Sequence, residues 1–221
     1  MKQLSLVIFD MDGVLVNSER AMAQAGIDTL ENYGIHAQVS DFRDFIGMGE
    51  DMFIGGVVRK HGGVYETKMK DESYQVYGLH AKERVQVFEH SRLVLTSLVD
   101  SGIPIAVASA ADIVKVRINL DCIGIDPAIF STIVSGNDVV KKKPDPATFL
   151  KAASNVGIDP SECMVVEDAV AGTQAARAAG MLAVSVTSSF DRETLLKAGA
   201  DFVIDDLIEV LDIAKRYRPV Q

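Results

Sequence analysis

Five short runs, Leu4–Phe9, Pro104–Ser109, Thr132–Ser135, Cys163–Glu167 and Leu182–Val186, are rich in Val, Ile and Ala and lack strict polar alternation. A strand with one wet face alternates, whereas a strand covered on both faces need not, so these runs read as strands of a parallel sheet. Helical patterns lie between them at Asp112–Leu120, Asp145–Val156 and Ala169–Ala179, the last two followed by Gly157 and Gly180 as C-terminal stops. Strand–helix alternation predicts βαβ units and an α/β fold with a doubly wound, mostly parallel Rossmann-like sheet.

One stretch departs from this rhythm. From Ser18 to about Val87 no strand-like run occurs, only helical patterns over Ser18–Tyr33, Asp41–Ile46, Asp51–His61 and Lys68–Lys82. Gly34, Gly47 with Gly49, and Gly62-Gly63 punctuate them. The expected organisation is an α/β core over 1–16 and 88–221, with an all-helical domain over 17–87 inserted after the first strand. Such an insert would sit above the strand ends, where open α/β sheets bind ligands.

A chain of 221 residues that is 48% hydrophobic and 24% charged can bury a core without a disulfide or zinc staple. The two cysteines, Cys122 and Cys163, form no paired or metal-binding spacing and read as small apolar side chains in a reducing compartment. The apolar stretch before Asp10 is too short for a signal peptide, and no run approaches the ~20 apolar residues of a membrane span. A cytoplasmic protein is the expectation. Its net charge of −9 disfavours nucleic acid and anionic membrane as partners, since both are polyanions. The composition does not separate a monomer from a weak dimer.

The first run ends Phe9-Asp10-Met11-Asp12-Gly13-Val14. In extended chain, residues i and i+2 share a side, so Asp10 and Asp12 can face one pocket, although Asp-Gly also marks an ordinary turn. Three more features arrive at the same sheet edge. Ser109 and Ala110 end the second run; Lys141-Lys142-Lys143-Pro144 precedes a helix, with Pro144 holding Lys143 extended; Glu167 and Asp168 close the fourth run. Singly, a helix cap, a solvated charge run and a capping acid would explain them. Together they place carboxylates, a hydroxyl and an ammonium at successive strand ends.

In this order, Asp-x-Asp-Gly-Val-Leu, Ser109 after a strand, Lys143-Pro144 and Glu167-Asp168 resemble the four motifs of the haloacid dehalogenase superfamily. The insert resembles that superfamily's small helical cap, and the most similar branch is that of β-phosphoglucomutases and sugar phosphatases. The resemblance spans nearly the whole chain, and it implies Asp10 as the nucleophile that forms an aspartyl-phosphate and Asp12 as acid and base. It implies Ser109, Ala110 and Lys143 as holders of the phosphoryl oxygens. Asp10, the backbone carbonyl of Asp12, and Asp168 are implied as Mg²⁺ ligands, with Glu167 a ligand or its supporting partner. The cation has a physical reason: two like charges ~4 Å apart repel by about 4 kcal/mol at an effective dielectric of 20. A carboxylate therefore cannot easily approach a phosphate without one.

Substrate choice is expected in the insert, around Met22 and Gly47-Met48-Gly49-Glu50. Where mutases of this branch carry a histidine and a phosphate-gripping arginine, this chain has Met22 and Glu50. A glutamate repels a phosphate, so a two-phosphate substrate is disfavoured. Lys70 could assist, although a lysine in such an insert is more often solvated. The usual Pro-Gly turn is replaced by Val87-Phe88-Glu89-His90, and His36, His61, His80 and His90 receive no role. The reading is a Mg²⁺-dependent phosphatase of a small phosphorylated metabolite, a sugar or polyol phosphate, with β-phosphoglucomutase-type transfer as the alternative. A receiver-like phospho-acceptor domain would explain Asp10 and Lys143, but neither Asp12 nor the insert. A dehalogenase would not need the Glu167-Asp168 pair.

Overall fold

A computed structural model describes residues 3–46 and 49–217. Six strands form one parallel sheet: β1 (Leu6–Phe9), β4 (Ile105–Ala108), β5 (Thr132–Val134), β6 (Cys163–Glu167), β7 (Leu182–Val186) and β8 (Phe202–Ile204). Their order is β5-β4-β1-β6-β7-β8. The chain winds outward from β1 in one direction and then in the other, which makes the end of β1 a topological switch point.

The unalternating runs have a simple cause. Along β1, Val7 and Phe9 enter one apolar cluster while Leu6 and Ile8 enter a second. Met164 and Val166 of β6 likewise part from Cys163 and Val165. Both faces of the sheet are covered, so both parities must be apolar. Helices α4 (Ser91–Asp100), α5 (Ile113–Ile123), α6 (Ala147–Val156), α7 (Val170–Ala178), α8 (Arg192–Ala198) and α9 (Glu209–Arg216) lie in the connections and after the last strand. Gly157 ends α6 in the left-handed region, at φ 75°, as its place after the apolar stripe predicts.

The insert is helical as expected, with α1 (Glu19–Leu30), α2 (Glu50–Lys60) and α3 (Thr67–Arg84), plus 3₁₀ turns at Glu31–Tyr33 and Val39–Phe45. One correction applies to the strand-free stretch. Two-residue strands β2 (Val16–Asn17) and β3 (Gln86–Val87) pair antiparallel where the chain leaves and re-enters the α/β unit. Two residues are too few to show a period, so the pattern could not reveal them. Within the insert, the rings of Phe42 and Phe53 meet at a 43° tilt with centroids 4.9 Å apart, and Gly26 leaves room for Phe42, which a Cβ there would meet at 2.9 Å.

Helix α3 is tied to α5 by polar contacts. Tyr74 donates to Asp112 Oδ2 at 3.1 Å, Tyr77 to Asn119, and Lys82 pairs with Asp121 at 3.0 Å. Lys70 is not the solvated lysine expected: its Nζ bridges Asp51 at 2.8 Å and Asp112 at 3.1 Å, joining α2 to the N-terminus of α5. Its four-carbon stem lets the ammonium reach acceptors on two elements.

Candidate active site

The strand ends determine what converges. Asp10 follows β1, and its N–H donates to Val166 O at 2.9 Å, so the ladder holds its backbone one residue past the strand. Ser109 follows β4 and is pinned in the same way, its N–H donating to Val134 O at 2.9 Å. Glu167 ends β6 and Asp168 follows it. These residues, with Asp12, Ala110 and Lys143, line a cavity of about 540 Å³ at the switch point. The insert supplies the facing wall, including Met22, Phe45, Gly49, Glu50 and Phe53. Gly47 and Met48, also expected there, lie outside the described residues.

At the deep end, Lys143 Nζ donates to Asp10 Oδ1 at 2.5 Å and to Glu167 Oε1 at 2.6 Å. Oxygens of Asp10, Glu167 and Asp168 all lie within 4.8 Å of one another. Burial pushes the Asp10 carboxyl up to about 7; Lys143 opposes this, while Glu167 and Asp12 add to it. Burial also raises Asp168 well above the carboxylate range, helped by Glu167 and Asp10, with a Ser189 hydrogen bond opposing. Burial works against the Lys143 ammonium, but the carboxylates of Asp10 and Glu167 outweigh it and hold its pKa above normal. Three carboxylates against one ammonium leave a formal charge of −2 in a buried place. Such a cluster fits one divalent cation, and its all-oxygen donors suit a hard one.

Two glycines make this crowding possible. A Cβ on Gly172 would stand 1.8 Å from Glu167 Oε1, and one on Gly13, at φ 81°, would stand 2.0 Å from Asp168 Oδ2. Glu167 Oε2 also accepts the N–H groups of Asp168 and Ala169, both at 2.8 Å. Its two oxygens are thus engaged by Lys143 and by the turn that carries Asp168. Ser109 Oγ accepts the Ala111 N–H at 3.1 Å, so the local capping role expected of a hydroxyl coexists with its place in the cavity.

Asp10 and Asp12 share the cavity, as their spacing predicts, but their carboxylates have different partners. After Asp10 the chain bends into a turn, and Asp12 accepts hydrogen bonds from Lys115 at 2.9 Å, Asn119 at 3.5 Å and the Ser18 hydroxyl. Lys115 and Asn119 are functional candidates absent from the motif reading. They lie one turn apart on α5, and a polar i, i+4 pair beside an apolar stripe was the available signal. Lys115 Nζ also stands 3.6 Å from Glu50 Oε1. The acidic pair Asp12 and Glu50 keeps the buried Lys115 protonated against its desolvation. Burial raises the Glu50 carboxyl, with Lys115 opposing. Of the histidines, His61 meets Asp41 at 3.0 Å and His90 meets Asp206 at 2.7 Å, so His90 is part-buried and paired rather than fully solvated.

Residues 7–186 match the family described as haloacid dehalogenase-like hydrolase. The chain belongs to this hydrolase family. Among its relatives is the Arabidopsis thaliana protein SUPPRESSOR OF QUENCHING 1, chloroplastic, 38% identical over 217 residues that cover 96% of this chain. This chain spans only 21% of that longer protein. A phosphoglycolate phosphatase of Pectobacterium atrosepticum is 30% identical, covering 93% of this chain and 90% of its own length. A solved hydrolase from Pseudomonas syringae superposes with a TM-score of 0.76 at 25% identity, covering 97% of this chain and all of that one. The haloacid dehalogenase resemblance read from the four motifs is therefore borne out, as is the doubly wound fold. As a hydrolase of this family the chain is an enzyme. Among the described residues no helix is long and apolar enough to cross a membrane.

Proposed function

We propose that this hydrolase is a Mg²⁺-dependent phosphatase that acts on a small phosphorylated metabolite, a sugar or polyol phosphate, through an aspartyl-phosphate on Asp10. The observation that carries this reading is the buried Asp10 carboxylate at the switch point, 2.5 Å from Lys143 and grouped with Glu167 and Asp168. The phosphatase names borne by relatives such as the Pectobacterium enzyme support the same class.

Asp10 would attack phosphorus, and Asp12 would give a proton to the departing ester oxygen. Asp12 would then take a proton from the water that attacks the phosphorus, returning free phosphate and the Asp10 carboxylate. Ser109, the Ala110 backbone and Lys143 would hold the phosphoryl oxygens. Side chains of Asp10 and Asp168, with the Asp12 carbonyl, would hold Mg²⁺, which when bound supplies the positive charge that lets carboxylate meet phosphate. Glu167, its oxygens engaged, would orient Lys143 and the Asp168 turn. Residues 17–87 would act as a cap over the 1–16 and 88–221 core, with Met22, Gly49 and Glu50 facing the rest of the substrate.

The test is phosphate release from a panel of phosphorylated metabolites that includes β-glucose 1-phosphate with its bisphosphate activator. Free phosphate as product supports the proposal, and glucose 6-phosphate would replace it with mutase transfer. A long-lived phosphoaspartate with no ester turnover would favour a receiver-like role. Asp10→Asn should lose at least a thousandfold in kcat while keeping its fold by circular dichroism, and excess EDTA should stop the wild type. An active Asp10→Asn variant would remove the nucleophile.

A further inference from the structure

The cavity is large enough to hold more than a phosphate, and the charges at its outer end say what the remainder of the substrate can be. Its lining cations are Lys115, Lys142 and Lys143; no arginine lines it among the described residues. Two of the three are paired with carboxylates. Lys143 holds Asp10 and Glu167, and Lys115 is shared between Asp12 and Glu50, whereas the exposed Lys142 donates to the Gly136 carbonyl beside Ala110, on the core side of the cavity. Glu50 is buried, its Oε2 has no hydrogen-bond partner among the described residues, and the one ammonium paired with it is the shared Lys115 at 3.6 Å. Glu19 and Asn17 add an acid and an amide to the same end, beside the apolar side chains of Met22, Phe53 and Phe88.

We infer that Glu50, with Lys115 tied down beside it, is a specificity-determining residue that admits monophosphates whose remainder is uncharged and hydroxyl-bearing, and rejects those carrying a carboxylate or a second phosphate. This inference rests on the phosphatase reading and narrows its substrate class. A second anion beside Glu50 would meet Glu50 and Glu19 with only the already shared Lys115 to receive it, and desolvation there makes the mismatch costly. Hydroxyl groups would find acceptors in Asp12, Asn17 and Glu19, while a carbon skeleton would pack on the apolar wall.

The test compares kcat/KM for matched pairs with the Mg²⁺-loaded enzyme: glycerol 3-phosphate against 3-phosphoglycerate, and glucose 6-phosphate against glucose 1,6-bisphosphate. The hydroxyl member of each pair should win by at least tenfold, and Glu50→Gln should shrink both ratios at least threefold by improving the anionic member. Hydrolysis of p-nitrophenyl phosphate, which has neither a hydroxyl nor a second anion, reports the core separately. If that ester is turned over but the wild type prefers 3-phosphoglycerate or the bisphosphate, the selector is overturned and the phosphatase reading stands. If Glu50→Gln still turns over p-nitrophenyl phosphate and leaves the ratios unmoved, Glu50 is not the selector. Should no ester be hydrolysed, the phosphatase reading fails and the inference falls with it.

Discussion

Gly172 shows how much of the site depends on an absent side chain. Its position in α7 faces Glu167, where a methyl group would overlap Oε1 at 1.8 Å. Gly172→Ala must therefore push Glu167 off Lys143 or move α7. Overpacking of this kind costs roughly 1–3 kcal/mol, and displacing the Lys143 ammonium should cost more in rate than in stability. The expected outcome is a kcat at least a hundredfold lower with a modest fall in the urea midpoint; an Ala variant with native kcat would show that Glu167 does not position Lys143. The thiol of Cys163 makes a contrasting residue-scale case. It is buried in β6, and that burial pushes its pKa up to about 12, from 9 when unfolded. The folded state therefore keeps this proton where the unfolded chain loses it. Its contribution to stability is present below pH 9 and is lost as pH rises toward 12. At pH 8.5, alkylation of Cys163 should lag that of the part-exposed Cys122 by at least tenfold, measured by mass spectrometry.

At the scale of elements, legibility followed periodicity. The five apolar runs became strands β1, β4, β5, β6 and β7, in which cover on both faces of the sheet favours apolar residues at both parities. Strands β2 and β3 are two residues each, too few to display a period. The deep end of the site was legible because Asp10, Ser109, Glu167 and Asp168 sit at or just past strand ends. Lys115 was not, since its bond to Asp12 joins positions 103 apart and its one local mark is the polar i, i+4 pair with Asn119. Nor was the seam between α3 and α5, where Asp112 accepts from Tyr74 and pairs with Lys70. Removing that shared acceptor strands the hydroxyl of the buried Tyr74 and leaves Lys70 with Asp51 alone. Asp112→Ala should cost about 1–3 kcal/mol by urea denaturation, and Tyr74→Phe less than half as much. Equal losses would mean that Lys70 gains nothing from Asp112.

For the molecule as a whole, the question is where an excess of acid is tolerated. Most of the 31 acidic side chains stand in water, but Asp10, Glu50, Glu167 and Asp168 are buried. Lys115 pairs with Glu50 and Asp12, which leaves the crowded acids of the deep cluster, Asp10 and Asp168 with raised pKa values, as the standing electrostatic cost of the metal-free fold. A cation bound to the folded state alone stabilises it by mass action, about 2.7 kcal/mol at a hundred times its dissociation constant. For a chain of this size that corresponds to a rise in Tm of roughly 5–11 °C. Magnesium should produce such a rise in differential scanning calorimetry, and EDTA should reverse it. Asp168→Asn separates this from a general salt effect. The amide is uncharged and keeps a similar shape, so it relieves the repulsion from Asp10 and Glu167 that raises the Asp168 carboxyl. Without metal the variant should melt at or above the wild type, and with magnesium it should gain less than half of the wild-type shift. A variant that melts lower without metal, or that keeps the full shift, would mean that the buried acids are not held in wait for a cation.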